Sequence, residues 1–180
     1  MQEKWDVLEV LRHSRHDWLN RIQLIKGYMA TGQSDQLEET ITKIVADSLN
    51  EAKICSLQIP EFAEFIITYN WKPRTIVLDY EILGEPCSLK NLDEVMTEWI
   101  QNFLEKLESW VHIYEENFVS LTIEINDKTV SFFFDFRGKL TKKEDMLKWI
   151  ASSSNDSSKI RMMSYFCETE ECSIEFKMEK

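Results

Sequence analysis

Glycine is scarce, with four in 180 residues: Gly27, Gly32, Gly84 and Gly138. Loops that wrap nucleotide phosphates depend on glycine, because a residue without Cβ lets the backbone come close and take positive φ. These four stand too far apart to form GxGxxG or GxxxxGK(S/T), which disfavours ATP-driven chemistry. Basic charge is also short. Lys and Arg number 21 against 32 Asp and Glu, for a net charge of −11, so a nucleic-acid role is not expected. The cysteines Cys55, Cys87, Cys167 and Cys172 include no CxxC pair and read as scattered thiols, not as a zinc site. There is no apolar run long enough to span a membrane and no secretory leader, so a reduced, cytoplasmic protein without a membrane segment is expected.

What is present suits a folded chain. Hydrophobic residues make up 43% and charged residues 29%, too apolar for disorder, and 180 residues allow one domain or two small ones. Over residues 3–30 the apolar positions Leu8, Leu11, Trp18, Ile22, Ile25 and Met29 recur at helical spacing, interrupted by Arg15. A polar link, Thr31 to Ser34, holds a glycine to stop one helix and a serine to cap the next. A second helix is predicted over 35–57, with Leu37, Ile41, Ile44, Ser48, Ala52 and Cys55 as its stripe and Val45 and Leu49 widening it. The two make a helical hairpin ending near Pro60.

Beyond Pro60 the texture becomes mixed α and β. A short helix at 61–69, a strand at 75–83 and a long helix at 92–113 are predicted in turn. Strands at 118–125 and 129–136 join at Asn126-Asp127-Lys128. A helix at 142–150, a serine-rich loop at 152–158 and strands at 160–166 and 172–178 complete an α+β chain of two domains, 1–60 and 61–180.

The first helix carries the chemistry. Taking Leu8 as zero and about 100° per residue, its apolar stripe centres near 300° while His16 falls near 80°, with Gln23 near 60° and Asn20 near 120°. An imidazole on the wet side has no packing duty and keeps a nucleophilic ring nitrogen near neutral pH. Composition alone leaves it open whether His16 is a solvated side chain or a nucleophile. Between Arg12 and Lys26 four cations, Arg12, Arg15, Arg21 and Lys26, meet one anion, Asp17. Either the long basic chains lie along the stripe and pair with acids such as Glu38 or Glu39, or they form a face that receives a phosphoryl group. Arg12 and Arg21 are placed on either side of His16, near 40° and 140°, with Lys26 near 0°.

The run His13-Ser-Arg-His16-Asp-Trp-Leu-Asn20-Arg-Ile-Gln23-Leu-Ile-Lys-Gly27 closely resembles the phosphoacceptor helix of the stage 0 sporulation phosphotransferase B family of spore-forming bacilli. It resembles more loosely the HDxxN box of citrate- and fumarate-type sensor kinases. Phe65-Ile-Ile-Thr-Tyr-Asn-Trp-Lys72, Leu78-Asp-Tyr-Glu-Ile-Leu-Gly84 and Cys172-Ser-Ile-Glu extend the likeness over nearly the whole chain. The resemblance implies a hairpin that pairs with a second copy into a four-helix bundle, followed by an α/β sandwich resembling a histidine-kinase ATPase domain that does not use ATP. It implies a relay in which His16 takes a phosphoryl group from the aspartyl phosphate of one response regulator and passes it to the aspartate of a second. Arg15 would steady phosphate charge, Asp17 would orient the imidazole, and Asn20 would meet the phosphate or the partner. Arg12, Arg21 and Gln23 would support the contact. The chain would hold no cofactor or metal of its own, and Mg²⁺ would belong to the receiver's acidic pocket.

Three rivals remain at this level. A sensor-kinase core would need an asparagine-bearing ATP helix and a DxGxG loop, for which Asn102 and Asp135-Phe-Arg-Gly138 are the available remnants. A non-catalytic dimeric scaffold would keep the hairpin and tolerate loss of His16. A metal site from His13 and His16 lacks a third ligand.

Overall fold

The computed structural model describes residues 5–153 and 160–180; from residue 154 onward the serine-rich stretch lies outside them. The chain divides into two compact units, Met1–Leu49 and Asn50–Lys180.

The first unit is built from α1 (Val7–Thr31) and the greater part of α2 (Ser34–Ser56). Gly32 ends α1 at φ 67°, a left-handed turn that a side chain would strain, and Gln33 N donates to Tyr28 O at 3.0 Å to close the cap. Arg21, eleven residues before Gly32, meets Asp47, which follows it at a comparable distance, so the helices run antiparallel. Each helix has two apolar faces where the periodicity suggests one. The half-buried face of α1 carries Val10, Ser14, Asp17, Arg21, Ile25 and Tyr28, and no residue of α1 is fully buried. Leu8, Leu11, Trp18, Ile22 and Met29 instead face outward, as do Ile41, Val45 and Leu49 of α2. Ile25 thus belongs to a different face from the rest of the expected stripe.

The second unit is a two-layer α/β sandwich. Its sheet has the order β1-β2-β3-β5-β4, from β1 (Val77–Leu83), β2 (Phe118–Ile125), β3 (Thr129–Arg137), β4 (Ile160–Cys167) and β5 (Glu171–Glu179). β1 and β2 pair in parallel across the crossover helix α4 (Asp93–Trp110), and the remaining pairs are antiparallel. Alternation along β2, with Val119, Leu121, Ile123 and Ile125 buried, turns one face to the helices. Trp99 and Phe103 of α4 stack at 5.6 Å and reach Phe176 and Phe134 of the sheet at 4.3 and 4.5 Å. Trp149 of α5 (Lys143–Ser153) closes the cluster 5.6 Å from Phe103. Asp93, the first residue of α4, accepts from Glu61 N and Phe62 N at 3.1 and 2.9 Å, capping α3 (Pro60–Thr68) in place of a local side chain.

The compact division falls inside α2 and not at Pro60, because the end of α2 belongs to this second core. Ile54 and Leu57 are fully buried there, Asn50 Oδ1 accepts from Ile82 N at 3.1 Å, and Lys53 Nζ donates to Ile82 O at 3.0 Å. α4 stops at Trp110, short of the expected Ile113, since Val111 leaves the helix to bridge Leu140 and His112 N donates to Lys139 O.

No sequence pattern singles out Asn117, yet it is 2% exposed and ties three segments together. The two hydrogens of its amide are shared among Thr75 O, His112 O and Glu115 O, 3.3, 3.0 and 2.9 Å from Nδ2, and its carbonyl accepts from Lys139 N. Asn117→Ala leaves several of these groups unpaired and should cost about 2–3 kcal/mol. The measurement is the urea midpoint of unfolding; an unchanged midpoint would show that water replaces the side chain.

Candidate functional site

His16 stands on the outer side of α1 with its side chain 71% accessible. Asp17 Oδ1 lies 3.4 Å from its Nδ1, and Asn20 Nδ2, one turn on, lies 3.3 Å from the same nitrogen. One nitrogen cannot serve both at once. It accepts from the Asn20 amide only when bare, and donates to Asp17 only when it carries the hydrogen. In the second tautomer the lone pair sits on Nε2, which has no hydrogen-bond partner among the described residues. The local helix therefore supplies an orienting carboxylate at the next residue and an amide at the fourth, on an imidazole open to a partner.

The cations divide differently from the sequence expectation. Arg12, Arg15 and Lys26 are exposed and form no ion pair among the described residues. The periodicity places Arg15 on a packed stripe, and it is free because that stripe faces outward. Arg21 does not flank His16. Thirteen residues beyond Leu8 it lies near 220°, not 140°, at about 100° per residue. There its guanidinium meets Asp47 at 3.1 Å, both side chains about one-third exposed, and stands 5.6 Å from the ring centroid of Trp18. The acid it meets is Asp47, not Glu38 or Glu39. His13 is half-buried with its ring 5.5 Å from Trp5, edge to face.

From Asn20 the same face of α1 continues into an open groove of about 510 Å³, lined by Gln23, Leu24, Gly27 and Tyr28 and closed by Gln33. Gly27 has an ordinary helical φ, and a Cβ built on it would meet nothing within 4 Å. Glycine inside a helix is about 1 kcal/mol less favourable than alanine, and no contact within the chain calls for it.

In the second unit the stretch that a sensor-kinase core would have to use as its DxGxG loop continues the strand expected over 129–136. Asp135, Phe136 and Arg137 continue β3, paired with Ser173, Cys172 and Glu171. Gly138 follows at φ 155°, packed against Phe136 and Asn117, and the hollow beside it is lined by Glu115, Glu116 and Glu170 against Lys139. Asn102 is exposed on α4. The thiols are less scattered than their spacing suggests: Cys167 and Cys172 face each other across β4 and β5. Burial, and then the neighbouring Cys167, push the Cys172 thiol well above its ordinary range. No group of three or more His, Cys, Asp or Glu that would hold a metal occurs among the described residues. Among them, no helix is long and apolar enough to cross a membrane.

Two family models together match this architecture. Residues 1–57 match the α-helical domain of SpoOB-type sensor kinases, and residues 58–179 match the C-terminal domain of sporulation initiation phosphotransferase B. The chain belongs to the sporulation initiation phosphotransferase B family. A curated member, the sporulation initiation phosphotransferase B of Bacillus subtilis (strain 168), is 28% identical over 176 residues, 97% of this chain and 90% of its own. Solved histidine-kinase structures align more loosely. The catalytic domain of ThkA gives a TM-score of 0.41 at 14% identity, over 71% of this chain and 92% of its own. AdeS of Acinetobacter baumannii gives 0.40 at 12%, over 91% and 97%.

Because Arg21 is tied to Asp47, reversing it should act first on the hairpin. Arg21→Glu should lower stability by about 1 kcal/mol, and the exchange Arg21→Asp with Asp47→Arg should restore most of it. Thermal unfolding of the single and exchanged variants checks this; equal midpoints throughout would mean that the pair contributes nothing.

Proposed function

We propose that this protein is a histidine phosphotransferase of a sporulation phosphorelay, carrying a phosphoryl group on His16 between the aspartates of two response-regulator receiver domains. The observation that carries the reading is the exposed His16 imidazole with Asp17 at Nδ1 and a free Nε2, in a chain that belongs to this family.

The transfer follows from those contacts. With Nδ1–H donated to Asp17, the Nε2 lone pair attacks the phosphorus of the donor's aspartyl phosphate. The N–P bond forms as the P–O bond breaks, and the departing receiver carboxylate needs no proton. The imidazolium that results keeps its Nδ1 hydrogen, and its charge is offset by Asp17. In the second half the carboxylate of the other receiver attacks the same phosphorus and the lone pair returns to Nε2. Asn20, released from Nδ1, is free to bond a phosphoryl oxygen. Mg²⁺ is assigned to the receiver's acidic pocket, with no metal or nucleotide cofactor on this chain. Arg12, Arg15 and Lys26 supply positive charge on α1 in a chain of net −11, which favours an acidic partner.

The outward stripes support a homodimer. Trp18 and Ile22 are 49% and 46% exposed, and Leu8, Leu11 and Met29 more so, while a fully buried apolar side chain is worth about 1.5–3 kcal/mol. Pairing two hairpins into a four-helix bundle covers these stripes and leaves the His16 face outside. A soluble, cytoplasmic setting is part of the same reading. A non-catalytic receiver-binding scaffold is the alternative, and a role as an ATP-dependent kinase core is disfavoured by the strand that occupies residues 135–137.

Incubation with a phosphorylated receiver should place acid-labile label on His16. His16→Ala should abolish it with helix content unchanged, and His13→Ala should still be labelled. Equal labelling of both variants would refute the assignment. Asp17→Asn should slow transfer about tenfold or more, since the wrong tautomer is then equally stable. Sedimentation at micromolar concentration should give a dimer; a stable monomer would remove the bundle.

A further inference from the structure

We infer that Cys167 and Cys172 form a dithiol site that a low-molecular-weight disulfide closes in the folded chain, fastening the edge strand β4 to β5. The site lies within the second unit and does not depend on the reading of His16.

Register and anchoring carry it. Cys167 and Cys172 are direct partners across the β4–β5 hairpin, with four residues between them. Glu168 N donates to Glu171 O at 2.7 Å, one residue nearer the turn, so Cys167 and Cys172 are the non-hydrogen-bonded kind of antiparallel pair. Such partners stand about 4.5 Å apart at Cα with their side chains on one face, within the span that a disulfide bridges. The turn itself is pinned: Gly138 N donates to Glu170 O and Leu140 N to Thr169 O, both at 2.9 Å. Cys172 is buried, Cys167 is half-buried, and the two thiols share a hydrogen bond, so the backbone need not move to join them. Cys55 lies exposed on α2 and Cys87 accepts from Lys180 Nζ at 3.1 Å, so neither shares this arrangement.

The closure is a thiol–disulfide exchange. The Cys167 thiolate attacks one sulfur of R–S–S–R, forming a mixed disulfide and releasing RS⁻. The Cys172 sulfur then attacks Cys167 Sγ, and its proton passes to the second departing RS⁻. The chain gives up two electrons and two protons, which convert the reagent to two molecules of RSH. Burial keeps Cys172 protonated, so an outside reagent meets Cys167 first and Cys172 acts as the resolving thiol. The strand that gains from the bond is the one held least: β4 pairs on one side only, with β5, and its Met163, Tyr165 and Phe166 are about half exposed. In a reducing compartment the pair stays open, and it closes when the disulfide form of the small-thiol pool accumulates.

The test treats the full, folded chain with oxidised glutathione and maps its peptides by mass without reduction. Cys167 should be found joined to Cys172, whatever Cys55 and Cys87 carry. Cys172→Ala should instead hold a lasting glutathione adduct on Cys167, and Cys167→Ser should leave Cys172 as a free thiol. Against Cys167→Ser treated in the same way, Tm of the closed chain should be higher by about 2–8 °C, and the difference should vanish when a dithiol reductant opens the bond. A lasting adduct on Cys167 beside a free Cys172 in the wild-type chain would overturn the inference, as would an unreacted pair or a link from either residue to Cys55 or Cys87. A Tm that is unchanged or lower after closure would overturn it too, since the bond would then not suit the native hairpin. None of these outcomes bears on whether His16 accepts a phosphoryl group.

Discussion

Two helices can share only one face. That constraint shapes the N-terminal unit, because α1 and α2 each carry apolar residues on two faces and can cover only one of them against each other. The shared face takes Val10, Ile25, Tyr28 and the Arg21–Asp47 pair, a mixed and half-wet seam that leaves no residue of α1 fully buried. The more hydrophobic face, with Leu8, Leu11, Trp18, Ile22 and Met29, is left in water by the single chain. His16 lies on a third side of the same helix, also open. Position around one helix separates the intrachain seam, the exposed apolar stripe and the face that carries His16.

The chemistry asks little of the rest of the chain. In the proposed reading, nucleophile, orienting acid and neighbouring amide all come from five consecutive residues, His16 to Asn20, placed by helical geometry alone. No distant loop has to close, and no group needs deep burial. Such a site survives as long as α1 stays helical. In the second unit β3 runs straight through Arg137, and carboxylates collect around Gly138.

Local relations are legible in the amino-acid sequence. Helix and strand positions follow from periodicity, because amphipathic patterns of 3.6 and 2 are imposed by burial on each element separately. His16, Asp17 and Asn20 are readable for the same reason: they lie within one turn of each other. Long-range relations are not. That Ile54 and Leu57 belong to the second core depends on Ile82 and its neighbours, which no spacing within α2 shows. Periodicity suggests one apolar stripe per helix where two faces exist, since it does not say how many partners a helix has. The angle of Arg21 on α1 follows from its position in the helix, but its tie to Asp47, 26 residues away, does not. Asn117 carries no signal, as a buried asparagine that joins loops has no spacing rule to betray it. Nor does spacing show that Cys167 and Cys172 face one another across a hairpin.

The aromatic core of the second unit has an optical consequence. Trp99 and Trp149, both partly buried, sit among the rings of Phe103, Phe134 and Phe176, and Trp110 is 6% exposed beside them. Trp18, in the other unit, is half exposed on the outward stripe with the Arg21 guanidinium over its ring. Trp110 and Trp18 therefore stand in contrasting environments: blue-shifted emission is expected of Trp110 in the sandwich, and red-shifted emission of Trp18 on the hairpin surface. Anything that covers that surface changes the contribution of Trp18 and leaves that of Trp110 alone, so its covering can be followed without an added dye.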